Sequence, residues 1–305
     1  MIHLRLIVPA ELTDEVYAHL VDARGVAHVA VVPTTSISPP GQLLLCDVAR
    51  EAANDIIEWL QRRDVHHVGA ITIEALEGVV SDAAERAVDE APGHAADALI
   101  WEELEARARS DSALTASFLV FIGIASVIAG VGILLDAPIL IVGAMVVGPE
   151  YGPLAALCIA LVRGRTRPAM TAFRTLAFGL LVASAAALFA TVAFRVANLA
   201  PDSYVLSDRE LTAFISHPDG MAAVVAVLAG VVGMLSLTES RGGALIGVLV
   251  SVTTIPAAAN LGVATAYGEW REVGGAALQL GINLAGLVLA GVATLAIQSR
   301  ATTRR

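Results

Sequence analysis

Residues 138–162 read PILIVGAMVVGPEYGPLAALCIALV, and this stretch decides the class of the protein. As a helix it is long enough to cross a hydrocarbon core of about 30 Å. Yet Pro149, Pro153 and several glycines stand near its middle, with Glu150 between Pro149 and Tyr151. An interior proline removes a backbone donor and clashes with the preceding turn, so a break or kink is expected there. Lipid cannot satisfy the N–H and C=O groups so freed, and such backbone survives only inside protein or along a polar cavity. A carboxyl at that depth costs at least about 2.5 kcal/mol on insertion scales and marks a functional site by default. The competing reading of Glu150 is a neutral, hydrogen-bonded structural residue.

Working outward, six apolar runs predict spans at 113–135, 138–162, 172–197, 220–237, 242–266 and 274–298, the fourth at the lower length limit. The fifth repeats the theme of the second: its middle reads SVTTIPAAAN over residues 251–260. Aligning Pro153 with Pro256 also matches Ala155 and Ala156 with Ala258 and Ala259, and one further residue of shift brings Gly164 onto Gly268 and Arg167 onto Arg271. Each half is thus a plain span, a proline-interrupted span and a plain span. Three is odd, so two successive copies enter the bilayer in opposite orientations. Inverted repeats with interrupted helices at matching positions point to a transport site at the midplane.

The fold expected is an α-helical polytopic membrane protein whose two inverted three-span repeats cover 113–197 and 220–298, with the second and fifth helices broken. Candidate site residues are Glu150 with its neighbours Pro149, Tyr151 and Pro153, and Thr253, Thr254, Pro256 and Asn260 from the other broken helix. Asn283 joins them from the sixth span, with Gln279 and Ser126 as weaker candidates. An intramembrane Asn serves equally to join helices by hydrogen bonding.

Composition agrees. The 305 residues are 56% hydrophobic and only 16% charged, against about 25% in a soluble domain. With 19 cationic against 29 acidic residues no basic surface exists for nucleic acid. Charge is uneven: residues 1–112 hold 20 acidic residues and 8 arginines, residues 113–305 hold 9 and 11. A soluble domain over 1–79, an acidic helical linker over 80–112, the membrane domain over 113–298 and a tail over 299–305 follow. No signal peptide is read at the start, since MIHLRLIVP is too short for an h-region and has no cleavage site. Arginines at 107, 109, 163, 165, 167, 241, 300, 304 and 305 fall on one side if both termini are cytoplasmic, in a prokaryotic inner membrane.

The soluble segment alternates as strands at 3–8, 26–33, 42–47 and 69–75 and carries amphipathic helices at 11–22 and 50–63. The order βαββαβ is the split ferredoxin-like arrangement, and its size suits an ACT-like ligand-sensing or oligomerising module. His3, His19, His28, His66 and His67 match no zinc spacing and are read as surface or turn residues. Cys46 and Cys158 fall in different domains and read as packing residues. No cofactor and no metal are expected. The linker, broken at Pro92–Gly93, reads as a solvated connector in preference to an interfacial helix, because interfacial helices are usually basic.

The segment VGAMVVGPEYGP over 142–153, with PAAAN over 256–260 and LGIN over 280–283, resembles the hydrophobic membrane proteins catalogued as domain of unknown function 389. The resemblance covers roughly 113–298. It implies the membrane fold and a comparable N-terminal soluble domain, and implies no established substrate. Those proteins usually carry a hydrophobic residue where this chain has Glu150.

Two functions are carried forward. One is a transporter or channel-like carrier of a small solute or ion, gated by its soluble domain. The other is a non-transporting sensor or scaffold whose soluble domain binds a ligand or oligomerises. An intramembrane enzyme lacks a nucleophile, metal set or paired carboxylates, so the chain is not expected to be an enzyme. Its expected partners are the lipid bilayer, further copies of itself and the unidentified solute or ion.

Overall fold

The computed structural model describes residues 1–76, 78–91, 100–202, 204, 211–212, 215, 220–238 and 254–303. The chain divides into two compact units, one of Met1–Leu104 with Gln298–Arg305 and one of Glu105–Ile297.

The first unit runs β1 (Ile2–Val8), α1 (Ala10–Asp22), β2 (Val26–Ile37), β3 (Pro40–Val48), α2 (Arg50–Arg62), the single turn α3 (Val65–Val68), β4 (Ala70–Ala75) and α4 (Asp82–Glu90). Its sheet has the order β2-β3-β1-β4 with every neighbouring pair antiparallel. That is the split βαβ arrangement expected from the element order. Alternation fixes the inward face: Ile2, Leu4, Leu6 and Val8 of β1 and Leu44, Cys46 and Val48 of β3 are buried. Val16 and Leu20 of α1, and Ile56, Ile57 and Leu60 of α2, close over them. Burial pushes the Cys46 thiol up to about 12, with Asp47 adding to the shift, so this cysteine is an inert packing residue.

Two expectations are corrected here. The Ser/Pro-containing stretch between the expected strands 26–33 and 42–47, read as a loop, is largely strand, because β2 and β3 stay paired out to Ile37 opposite Pro40. The stretch after residue 99 is not a solvated connector: Ile100 joins the core of the sheet unit, and Trp101 and Leu104 are buried. The backbone N–H of Trp101 donates to Asn54 Oδ1, and Arg50 and Gln61 reach Glu103 and Glu102. The acidic residues are therefore partly consumed by contacts, and hydropathy outweighs charge in placing this segment.

Two histidines read as surface residues bracket one carboxylate. His3 Nδ1 lies 2.7 Å from Asp47 Oδ1 and His28 Nδ1 lies 2.9 Å from Oδ2. His28 Nε2 lies 3.0 Å from the Ser81 hydroxyl, which caps α4 by accepting from the Ala83 N–H. Burial works to raise the Asp47 pKa, but the bonds from His3 and His28 outweigh it and hold the carboxyl below its ordinary value. A depressed carboxyl stabilises the fold above the ordinary carboxylate range and loses that contribution as pH falls through its folded value. Asp47→Asn should therefore cost about 1.5–3 kcal/mol at neutral pH. Hydrogen exchange on the full-length chain should show β2 and α4 opening faster in the variant at pH 7, with the difference shrinking in strong acid.

The second unit takes in the end of α5 (Trp101–Asp111) and then α6 (Ala116–Leu134), α7 (Pro138–Val147), α8 (Tyr151–Val162), α9 (Thr166–Val196), α10 (Gly220–Thr238), α11 (Ile255–Tyr267) and most of α12 (Trp270–Thr303). Among the described residues four helices are long and apolar enough to cross a membrane: α6, α9, α10 and α12. The α7–α8 pair, bent by 58° at its break, makes a fifth candidate. Phe121, Leu181, Phe189 and Leu289 are exposed on these helices, as side chains facing lipid are. The first half of the expected fifth span lies outside the described residues.

Helix starts recur at a fixed interval. Ala116, Tyr151 and Thr166 open helices, and so do Gly220, Ile255 and Trp270, each 104 residues later. Gly164 and Gly268, also 104 apart, both take the left-handed backbone at the turn between a short helix and a long one. Contacts recur too. Cys158 Sγ lies 3.9 Å from Val288 O, and a Cβ on Gly262 would stand 2.3 Å from Ser184 O; Gly262 and Ser184 are Cys158 and Val288 moved by 104 in opposite directions.

Gly262 lets α11 lie directly on α9, where Ser184 Oγ donates to Ala258 O at 2.9 Å. Gly262→Ala would meet the α9 backbone at both Ser184 O and Leu188 N and should cost about 1–3 kcal/mol by overpacking. Gly143→Ala, with nothing within 4 Å, should be harmless. Thermal unfolding of the two purified variants in detergent checks the contrast.

Candidate functional site

Three prolines stand in the first turns of helices, and two of them, Pro153 and Pro256, were read as interrupting a span. Pro138 is the first residue of α7, Pro153 the third of α8 and Pro256 the second of α11. First-turn amides have no intrahelical acceptor, so a proline there forfeits no bond. The interruption itself is Gly148–Glu150, between α7 and α8.

Glu150 occupies the N-cap position of α8 and Thr254 that of α11, and neither side chain caps its own helix. Both are fully buried. The Thr254 hydroxyl donates instead to Glu150 Oε1 at 2.9 Å. Their carbonyls accept the first helical bonds, from Leu154 and Ala258. Two helix N-termini, each with the positive end of its dipole and unused amides, thus converge on one buried carboxyl–hydroxyl pair.

The Tyr151 hydroxyl donates to Gly233 O on α10 at 2.6 Å, tying the start of α8 to that helix. Asn260 is buried six residues beyond Thr254, about 9 Å along the axis. It receives a hydrogen bond on Oδ1 from Tyr204, while its Nδ2 has no hydrogen-bond partner among the described residues. The buried Ser126 hydroxyl on α6 likewise has none. Asn283 accepts from Gln279 one turn earlier on α12 at 3.1 Å, so this pair bonds along its own helix. Thr253 lies outside the described residues.

Sequence reasoning missed Tyr204, which closes on Asn260 from the segment after α9. Tyr204 stacks on Tyr267 at 5.3 Å, and Arg195 lies over the Tyr267 ring and donates to Ala266 O. No pattern in an acidic connecting segment distinguishes such a residue. In the first unit Asp64, His66 and His67 are exposed and bring their ligand atoms within 4.8 Å of one another, a set able to hold a metal ion.

Residues 145–289 match the family model described as Domain of unknown function (DUF389). The likeness to this family extends over 145 of the 305 residues. The match begins within α7 and takes in the break, Glu150, Thr254, Asn260 and Asn283. No curated protein and no solved structure matches the chain. DUF389 thus joins the apolar helices in describing a membrane protein, and its name carries no substrate.

Removing the Thr254 hydroxyl leaves a buried carboxyl short of a bond, whereas an amide can keep it. Thr254→Val should cost about 1–3 kcal/mol, and Glu150→Gln, which retains an acceptor toward Thr254, should cost less. Unfolding midpoints of the detergent-purified variants distinguish these.

Proposed function

We propose that the protein is a membrane transporter or channel-like carrier of a small solute or ion, with its site where α8 and α11 begin. The observation that carries this reading is the Glu150–Thr254 bond, made between residues exactly one helix-start interval apart. Equivalent residues of two halves meet only on the axis relating them, and the recurring helix starts and contacts support two repeats inserted in opposite orientations, with six spans in all. Interrupted helices whose N-termini meet at such an axis are the arrangement in which secondary carriers hold substrate and coupling ions. Asn260 Nδ2 and Ser126 Oγ, buried without partners among the described residues, support a polar interior that a passing solute could use.

Arg163 and Arg165 lie in the turn between α8 and α9, and Arg167 lies in the first turn of α9. Under the positive-inside rule they favour that turn on the cytoplasmic side of a prokaryotic inner membrane, with both termini on the same side. The sheet unit then stands as a cytoplasmic regulatory domain, and the assembly as a homo-oligomer. The chain is not an enzyme in this reading.

Proteoliposomes carrying the full-length protein, screened with a panel of inorganic ions and amino acids, should show uptake of one of them. Glu150→Gln and Asn260→Ala should lower that flux at least about tenfold, as removal of an intramembrane ionisable or binding group does. Flux untouched by both variants would remove these residues from the site. Stabilisation of the sheet unit by a ligand, with no flux of any tested solute, would support the sensor reading instead.

A further inference from the structure

We infer that the second unit carries a built binding pocket for the phosphate headgroup of an anionic membrane lipid, apart from the Glu150–Thr254 site and independent of any transport reading. The pocket holds about 320 Å³, within the size range of small-molecule sites. It is enclosed by the end of α5, the second half of α8 and the turn into α9. Its floor is apolar, from Ala156, Ile159 and Ala160 of α8, and its rim carries Arg109, Arg165 and Arg167.

One carboxylate organises the rim. Glu105 Oε1 accepts from Arg163 Nε at 3.2 Å, and Oε2 accepts from Arg165 Nη1. That leaves Arg109 and Arg167, which make no ion pair among the described residues although both line the pocket. The rim therefore keeps a positive excess beside neutral donors, Ser112 and Thr171, whose hydroxyls now donate to the Arg109 and Arg167 carbonyls. Guanidinium groups match phosphate in shape and charge and bind it with paired N–H bonds. An apolar floor under a cationic rim, at the ends of apolar helices, suits a ligand that is anionic at one end and hydrocarbon at the other. Basic pockets between membrane helices take such headgroups. A free anion would leave the alanine and isoleucine floor unused, so the lipid is the occupant the lining favours.

The test uses the full-length protein, purified and stripped of lipid. Phosphatidylglycerol should raise its unfolding temperature and remain bound in native mass spectrometry, while phosphatidylcholine should do neither. Arg109→Gln and Arg167→Gln should each weaken the phosphatidylglycerol effect by about fivefold, leaving the unfolding temperature without lipid unchanged because neither residue is in an ion pair among the described residues. Thr171→Phe, which fills the pocket without touching charge, should abolish the effect, and it guards against a variant that merely misfolds. Equal stabilisation by both lipids, or a phosphatidylglycerol effect that survives all three substitutions, would overturn the proposal. Saturating stabilisation by inorganic phosphate alone, sensitive to the same arginines, would overturn the lipid assignment in favour of a free anion.

Discussion

A backbone group exposed to hydrocarbon has no water to turn to, and this constraint organises the second unit around the interruption at Gly148–Glu150. The two helices meeting there are short, and each needs its ends covered by neighbouring protein. Coverage comes from close approach: α7 on α6 at Gly132, α8 on α10 through Tyr151, and α8 on α12 through Cys158 and Gly291. Small residues at the crossings are what permit such distances, as expected where association relies on packing and not on exclusion of water.

The same constraint explains why Glu150 is tolerated. A buried carboxyl needs donors, and the convergence of two helix N-termini supplies a field and a hydroxyl of matching sense. A hydrophobic residue at that position would leave the Thr254 hydroxyl to find its partner elsewhere. The charge and the break therefore depend on one another, and neither reads correctly alone.

Much of this was legible in the sequence. The apolar runs were legible because nothing soluble sustains them, and the element order of the sheet unit followed from alternation in residues 3–8 and 42–47. Glu150, Thr254 and Asn260 stood out as polar residues beside prolines in apolar runs. Illegible were the facts that depend on pairing across long separations. Tyr204 reaching Asn260 and Asp47 gathering two histidines leave no local period. The prolines pointed to the break in the second span, which is there between α7 and α8, but Pro153 and Pro256 stand in the first turns of helices and not in their interiors. The acidic segment after residue 99 misled, since its charge hid the burial of Ile100, Trp101 and Leu104.

The shortness of the interrupted helices bears on how the chain is made. α7 has 10 residues and α8 has 12, about 15 and 18 Å of helix, and neither alone covers the thickness of a bilayer. Their ends are closed in part by Gly233 of α10 and by Thr254, which leave the ribosome 82 and 104 residues after the residues they bond. A nascent chain halted before α10 thus holds an interrupted span that still lacks these two contacts. The Thr254–Glu150 contact forms only once residue 254 has been made, so the interruption is closed late in synthesis of the chain.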